Sequence, residues 1–355
     1  MRIEEIDENF RAAETVAEGQ KFYCAHEKPF RLYGAFWDEG AEQYLRMPAG
    51  VAAMVSPEVA LLNGCTAGAR VRFSTDSRKF FLRAKLGIYG NLPHMPMSGS
   101  RGFVLNELRK GREHWIASLM PQQPEAREFE GVAELAGGRM RDYVLYLPLY
   151  EMVFGLELGF EEGARIASGG NYREELPILY YGSSITQGGC SSRPDTSYQA
   201  IIAKRTGFDY INLGFSGNAK GERAIAEYLA ATPCLAFVYD YDYNSPNADE
   251  YERTHYALYE IFRKMQPKTP ILLVSRPNPE RNPERARRKE IIERTFARAK
   301  EEGDKNIDYL DGYLLFGNRD RDLCTVDGTH PTDLGFYRMA DKIGARILKL
   351  LQHCG

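Results

Sequence analysis

Two serines, Ser183 and Ser184, stand side by side where the apolar run PILYYG breaks on Gly182. A serine hydroxyl is a weak nucleophile at neutral pH and needs a base within hydrogen-bond reach. Imidazole suits that task, because its unperturbed pKa lies near 6.5. In VDGTHP, Asp327 precedes His330 by three residues, so one short turn can present both side chains. A carboxylate in that position can fix the tautomer of the base. A tetrahedral intermediate also needs donors aimed at its oxyanion. Glycine N–H groups in NLGFSGN, the serine's own N–H and an asparagine amide in DYNSPN could supply them. Together these are the parts of serine acyl transfer, and either serine could be the nucleophile.

Each part also has a plainer use. A Gly/Ser pair can simply turn the chain after a strand. Asp327 could cap the last helix, and His330 could be a helix-start residue before Pro331. Gly217 could be a turn glycine and Asn244 a loop cap. Arg276, in VSRP, either touches substrate or pairs with an acidic neighbour. The other histidines (His26, His94, His114, His255 and His353) have no D-x-x ahead of them and read as surface or packing residues. Asp240 and Asp242 lack the histidine or carboxylate cluster that a metal site needs. The residues imply no metal and no organic cofactor.

The elements that must position these groups follow from periodicity. From about Pro177 onward, apolar runs alternate with amphipathic stretches of helical length. PILYYG, DYINLGFSG, LAFVYDYDYN, PILLVSRP and NIDYLDGYLLF read as strands. Between them SYQAIIAKRTG, GERAIAEYLA, DEYERTHYALYEIFRKM and ERARRKEIIERTFARAKEEG read as helices, the last with a solvated basic face. The final helix carries Phe336, Met339, Ile343, Ile347 and Leu350 on one stripe. Repeated β-α units predict a parallel sheet covered by helices on both faces. Ligands of such sheets sit at the carboxyl ends of the strands, where Ser183-Ser184, Gly217, Asn244 and Arg276 all fall.

The first half reads differently. VRFSTD and KFFLRAKL alternate, and HWIASLM, EFEGVAEL, YVLYLPLY and FGLELGF follow at short intervals. This predicts an antiparallel β-sandwich, jelly-roll-like, with MPMSGSRG as a loop and no helix after the first fifteen residues. The polar segment Glu161 to Pro177 separates the halves, giving a sandwich over 1–170 and an α/β domain over 171–355.

With those residues in place, the chain resembles the SGNH, or GDSL-like, hydrolases. GSSIT is similar to the family's first block, NLGFSGN to the second and DGTHP to the last; DYN stands where the third carries its asparagine. The likeness extends to a subgroup with an N-terminal β-sandwich, so it covers nearly the whole chain. It implies a flavodoxin-like three-layer α/β/α domain with Ser184 as nucleophile, His330 as base and Asp327 as its orienter. Gly217, Asn244 and the Ser184 N–H would form the oxyanion hole, with Asn247 as the fallback for Asn244. Ser183 replaces the aspartate many members carry. Gly102 to Asn106, GFVLN, replaces the subgroup's Gly-x-Asp-Leu-Tyr. The expected activity is hydrolysis of short acyl esters, acetyl above all, on a carbohydrate or small polyol. An acyltransferase on the same Ser-His-Asp set and a non-catalytic carbohydrate-binding protein are the alternatives.

Composition sets the remaining bounds. The chain has 355 residues, 43% hydrophobic and 27% charged, with a formal net charge of −3. That balance does not suggest nucleic acid or an anionic membrane as a partner; a small-molecule or oligosaccharide ester does fit, and a homo-oligomer stays open. MRIEEIDENFRAAE is acidic with no apolar core, which points away from a signal peptide and toward the cytoplasm. The six cysteines form no C-x-x-C pair and read as free thiols, although Cys190 and Cys324 lie close in sequence to the two main motifs.

Overall fold

The computed structural model describes residue 6 and residues 19–87, 92–278 and 282–353. The helical reading of the first fifteen residues lies, apart from residue 6, outside the described residues.

The first half forms two facing antiparallel sheets. One runs Gln20–Cys24, Val153–Glu161, Lys79–Leu86, Glu128–Glu134. The other runs Ile166–Ser168, Arg70–Thr75, Arg141–Tyr146, Phe103–Arg109, Arg112–Leu119, with Arg31–Tyr33 also on Arg70–Thr75. Alternation in Lys79–Leu86 turns Phe80, Leu82, Ala84 and Leu86 inward against Phe73, Phe103, Leu105, Tyr143, Leu145, Leu158 and Phe160.

The second half is a five-stranded, wholly parallel sheet in the order Tyr210–Gly214, Ile178–Gly182, Ala236–Asp240, Ile271–Val274, Ile307–Leu310. The N-terminal antiparallel sheets and this helix-covered parallel sheet match the expected fold class. The central strands are apolar along their length because helices cover both faces. On one face, residues of Arg223–Ala231, Ala248–Met265 and Arg285–Glu301 share a core. On the other, Tyr198–Thr206 and Asp333–His353 pack with residues of the sandwich.

Three expectations need correction. Helices do occur in the first half, at Ala49–Val55 and Pro57–Asn63. Ser56 ends the first and caps the second, accepting from the Val59 N–H, so a continuous helical period never builds up. Both pack into the core of the second half through Ala52, Val59 and Leu62. The segment MPMSGSRG contains a helical turn, Met97–Ser100. And the alternating VRFSTD is not half-exposed: Arg70–Thr75 is buried on both faces, because Asp209 and Tyr210 of the second half cover Arg70, while Gly170 and Tyr172 cover Arg72 and Ser168 covers Ser74.

That seam is polar at its edges. The Arg46 guanidinium donates to the carbonyls of Asn212, Gly214 and Leu62 at 3.0, 2.7 and 2.6 Å. Arg70, fully buried, pairs with Asp209 and lies over the Tyr210 ring at 3.8 Å. Val104 packs in the seam with Val144, Tyr146 and Tyr180, and Asn106 donates to Glu113 and Asp195. The two positions where the subgroup motif has Asp and Tyr therefore face the junction of the halves.

Candidate active site

The strand Ile178–Gly182 lies between two parallel neighbours, and its register puts Gly182 beside Gly214 and Asp240. All three loops therefore leave the sheet together. A Cβ on Gly182 would come within 2.2 Å of Thr186 Oγ1 and 2.4 Å of the Asp240 carbonyl, so only glycine lets the chain turn straight into the helix Ser184–Gln187.

The paired serines take different jobs at that turn. Ser183 is the N-cap: its hydroxyl accepts from the Ile185 N–H at 3.2 Å. Ser184, the first helical residue, turns its hydroxyl to His330, with Oγ and Nε2 2.8 Å apart. The other ring nitrogen, Nδ1, lies 2.7 Å from Asp327 Oδ2. Asp327 Oδ1 also accepts the backbone N–H of Thr329 and of His330 at 2.9 and 2.8 Å. Partial burial opposes ionisation of Asp327, but the hydrogen bonds from the His330 ring and from these N–H groups outweigh it and bring the carboxyl down to about 2. A permanently ionised carboxylate thus faces Nδ1, which favours the Nδ1–H tautomer and leaves a lone pair on Nε2 for the Ser184 proton.

The turn that carries this pair is closed by an isolated bridge between Thr325 and Pro331 and by the Val326 N–H donating to the His330 carbonyl at 2.9 Å. Asn278, after the fourth strand of the sheet, donates to the Gly328 carbonyl at 3.0 Å.

The loop after Tyr210–Gly214 is held from both sides. Gln187 accepts the Ser216 N–H at 2.9 Å, and Asn244 Oδ1 accepts the Ala219 N–H at 3.3 Å. Between them, Gly217 is exposed and sits at φ 72°, a conformation that suits glycine. The Asn244 oxygen is committed to this loop, so Nδ2 is the end left to donate to a ligand.

Two other expected residues go elsewhere. Arg276 is buried and grips Asp242, with Nε 3.0 Å from Oδ2 and Nη2 3.1 Å from Oδ1, and stacks over Tyr243 at 4.3 Å. Its guanidinium thus pairs with an acidic neighbour, one of the two uses its position allowed. Asn247 caps the helix Ala248–Met265 by accepting from the Glu250 N–H at 2.9 Å. Arg288, on the helix read as having a basic solvated face, turns inward to the same Asp242. Asp240 is fully buried; burial and the neighbouring Asp242 charge push its carboxyl well above the usual range.

The sandwich half also reaches this site, which the spacing of motifs in the second half could not reveal. Tyr150 Oη donates to the Ser184 carbonyl at 3.2 Å. His94, read as a surface or packing residue, is exposed but its ring centroid lies 5.7 Å from that of His330. Cys190 packs with Met95, Leu149 and Tyr150, and burial pushes its thiol up to about 12. Cys324 lies against Arg338 instead, and both thiols are free. Among the described residues no helix is long and apolar enough to cross a membrane.

Comparison with known proteins finds matches to both halves of the chain. Residues 175–349 match the model of the GDSL-like lipase/acylhydrolase family, and residues 20–166 match a model described as the N-terminus of SGNH-hydrolase-type esterases. A solved structure from Bacteroides ovatus ATCC 8483, provisionally named a GDSL-like lipase, is 29% identical; the match covers 94% of this chain and 98% of that one, with a TM-score of 0.84. The salicylyl-acyltransferase SsfX3 of a tetracycline biosynthetic pathway shares the fold at 20% identity, over 95% and 99% of the two chains, with a TM-score of 0.78. So does a family two carbohydrate esterase from Clostridium thermocellum, solved with cellohexaose: 13% identity, 81% and 93% coverage, TM-score 0.59. A search of curated proteins found no match.

Proposed function

The chain belongs to the GDSL-like lipase/acylhydrolase family and is a carboxylic ester hydrolase; on that premise we propose that it removes short acyl groups, acetyl foremost, from a carbohydrate or small polyol. The observation that carries the reading is the continuous chain Ser184 Oγ to His330 Nε2 to Asp327, at 2.8 and 2.7 Å. We assign residues 1–170 as support and 171–355 as the catalytic part.

In this mechanism Ser184 Oγ attacks the ester carbonyl as its proton passes to His330 Nε2. Asp327 stabilises the imidazolium through Nδ1. The Ser184 and Gly217 N–H groups and Asn244 Nδ2 receive the oxyanion, each donor of this kind being worth about 3 kcal/mol in kcat. His330 then protonates the departing alcohol oxygen. Water repeats the sequence in reverse on the acyl-enzyme, with His330 again as base. The sugar alcohol rests on the shared fold with a carbohydrate esterase solved with cellohexaose, which is analogy at the level of fold.

The test is hydrolysis of an aryl acetate by the wild type, Ser184→Ala and Ser183→Ala. The first substitution is expected to lower kcat by about 10⁴-fold or more. The second removes a helix cap, about 1 kcal/mol of stability, and leaves most of the rate. Equal loss in both variants, or no turnover by the wild type, would sink the assignment. A series from acetyl to longer acyl groups then fixes the chain length. The fold shared with a named acyltransferase keeps acyl transfer as a second reading; added acceptor alcohols that capture the acyl group in place of water would favour it. Glycan binding that survives Ser184→Ala, with no turnover by the wild type, would support a binding protein.

A further inference from the structure

His94, Cys190 and His330 come from three separate segments, yet one ligand atom from each lies within 4.8 Å of the others. The loop bearing His94 is tied to the turn bearing Cys190. Ser98 Oγ donates to the Ser192 carbonyl at 2.7 Å, and the Leu149 N–H to the Gly99 carbonyl at 3.2 Å. Met95, Leu149 and Tyr150 hold the Cys190 side chain in place. On His330, Asp327 occupies Nδ1, which leaves Nε2 as the donor atom. A carboxylate behind a histidine in this way is the usual support of a metal-binding imidazole, fixing its orientation and raising its basicity.

We propose that these three side chains form an inhibitory site for a soft divalent cation, with Zn²⁺ the best fit. Two imidazoles and a thiol match zinc's preference for nitrogen and sulfur; magnesium and calcium prefer oxygen. With three protein ligands, water or substrate oxygen completes a tetrahedron. The inference rests on the reading of His330 as the catalytic base. On binding, the His330 Nε2 lone pair goes to the cation and its hydrogen bond with Ser184 breaks. Cys190 releases its thiol proton to solvent and binds as thiolate. Ser184 keeps its proton and loses its base, so hydrolysis stops with no covalent change to the enzyme. Cation removal restores the lone pair and returns a proton to Cys190.

Two measurements on the full chain test this. In the first, aryl acetate hydrolysis is followed in zinc-buffered solution. Wild type should be inhibited by micromolar free Zn²⁺ and recover fully with EDTA. His94→Gln and Cys190→Ala should keep the uninhibited rate but need about tenfold more zinc or higher. His94 is exposed, so its variant carries the test even if Cys190→Ala fails to fold. In the second, Co²⁺ replaces zinc and the near-ultraviolet thiolate-to-cobalt absorption is recorded, which needs no turnover. Wild type should show the band and Cys190→Ala should not. Equal inhibition of all three proteins, or no band in wild type, overturns the proposal. So does a band that survives Cys190→Ala and vanishes in Cys24→Ala, because that places the ion at Cys24, His26 and Glu27 on the sandwich. A cobalt band without ester turnover would keep the metal site and remove the esterase reading.

Discussion

The sandwich and the parallel sheet both bury polar side chains, but they put them in different places. In the sandwich half, Arg46, Arg70 and Arg101 are buried and their guanidinium groups end on backbone carbonyls or carboxylates at the seam and the loops. Every such bond braces one segment against another. In the parallel half, Ser183, Ser184, Asp240, Asp242, Ser275 and Arg276 are buried at the carboxyl ends of strands. A parallel sheet brings all those ends to one edge, whereas antiparallel strands divide theirs between two. Even at that edge most groups are structural: Ser183 caps a helix, and Arg276 holds Asp242. Ser184 differs in that its hydroxyl faces an imidazole instead of the backbone. On the proposed mechanism the chemistry lies on one edge of one sheet, and the other half braces it.

The largest expected effect breaks that edge while sparing the brace. Asp327→Asn keeps an oxygen that can accept the Thr329 and His330 N–H groups, so the turn should survive. Its NH₂ would then face Nδ1 and force the proton onto Nε2, where a lone pair is required. A loss of about 10⁴-fold in kcat is expected, with a fold that remains intact and gives up only the modest stability that the ionised, part-exposed carboxylate contributes. Because Asp327 is held at about 2, it stays ionised through mildly acidic pH. The acid limb of the wild-type rate profile should therefore end well above that value. A limb reaching down to pH 2–3 would show that another residue is the base.

The next effect breaks the brace. Arg46→Met should take the guanidinium donor from the carbonyls of Asn212, Gly214 and Leu62, of which Leu62 keeps the Cys65 N–H at 3.1 Å. About 3 kcal/mol of stability should be lost in urea unfolding. Since Gly214 leads into the loop that carries Gly217, kcat should fall severalfold while KM changes little. A stable variant with full kcat would mean that the seam does not position the loop.

The same division explains what could be read from the chain. The parallel strands and their helices are legible because each apolar run is bounded by turn residues and followed by a 3.6-residue period. Ser184, Asp327 and His330 are legible because hydroxyl, carboxylate and imidazole are scarce in that arrangement, and His330 is the histidine with D-x-x ahead of it. The seam is not legible. Arg70, Arg72 and Ser74 alternate with Val71, Phe73 and Thr75 as on a half-exposed strand, and only tertiary contact buries them. Arg276 and Asn247 sit at the right strand ends, but which partner each finds is decided in three dimensions. His94 and Tyr150 reach the site from the other half, so no local spacing could signal them.

A smaller effect, about 2 kcal/mol, tests the core behind the catalytic edge by pH. His255 is buried among Tyr239, Tyr241 and Tyr251 and paired with Thr295 at 2.8 Å. Burial lowers it from 6.5 to about 3, so the fold holds it neutral while the unfolded chain protonates it more readily. Its contribution is intact above about pH 6.5 and is lost as pH falls toward 3. Between pH 7 and 5 the wild type should lose about 2 kcal/mol more than His255→Gln, which cannot take up a proton. Parallel losses in the two proteins would mean that this core does not set the acid stability.

The smallest effect falls on a hydroxyl of the sandwich half, that of Tyr150, which bonds the Ser184 backbone. Tyr150→Phe deletes the bond from Tyr150 Oη to the Ser184 carbonyl at 3.2 Å and leaves the ring in its packing with Met95, Leu149 and Cys190. That carbonyl also accepts the N–H groups of Gly188 and Gly189 at 3.1 and 2.8 Å, so it is not orphaned. Net loss should be about 1 kcal/mol in unfolding free energy. If the sandwich only braces, kcat for an aryl acetate should drop no more than the few-fold that this energy allows, and KM should hold. A loss near that of Asp327→Asn would mean that the hydroxyl also orients Ser184 during attack, and the line between a chemical edge and a bracing half would have to be redrawn to include Tyr150.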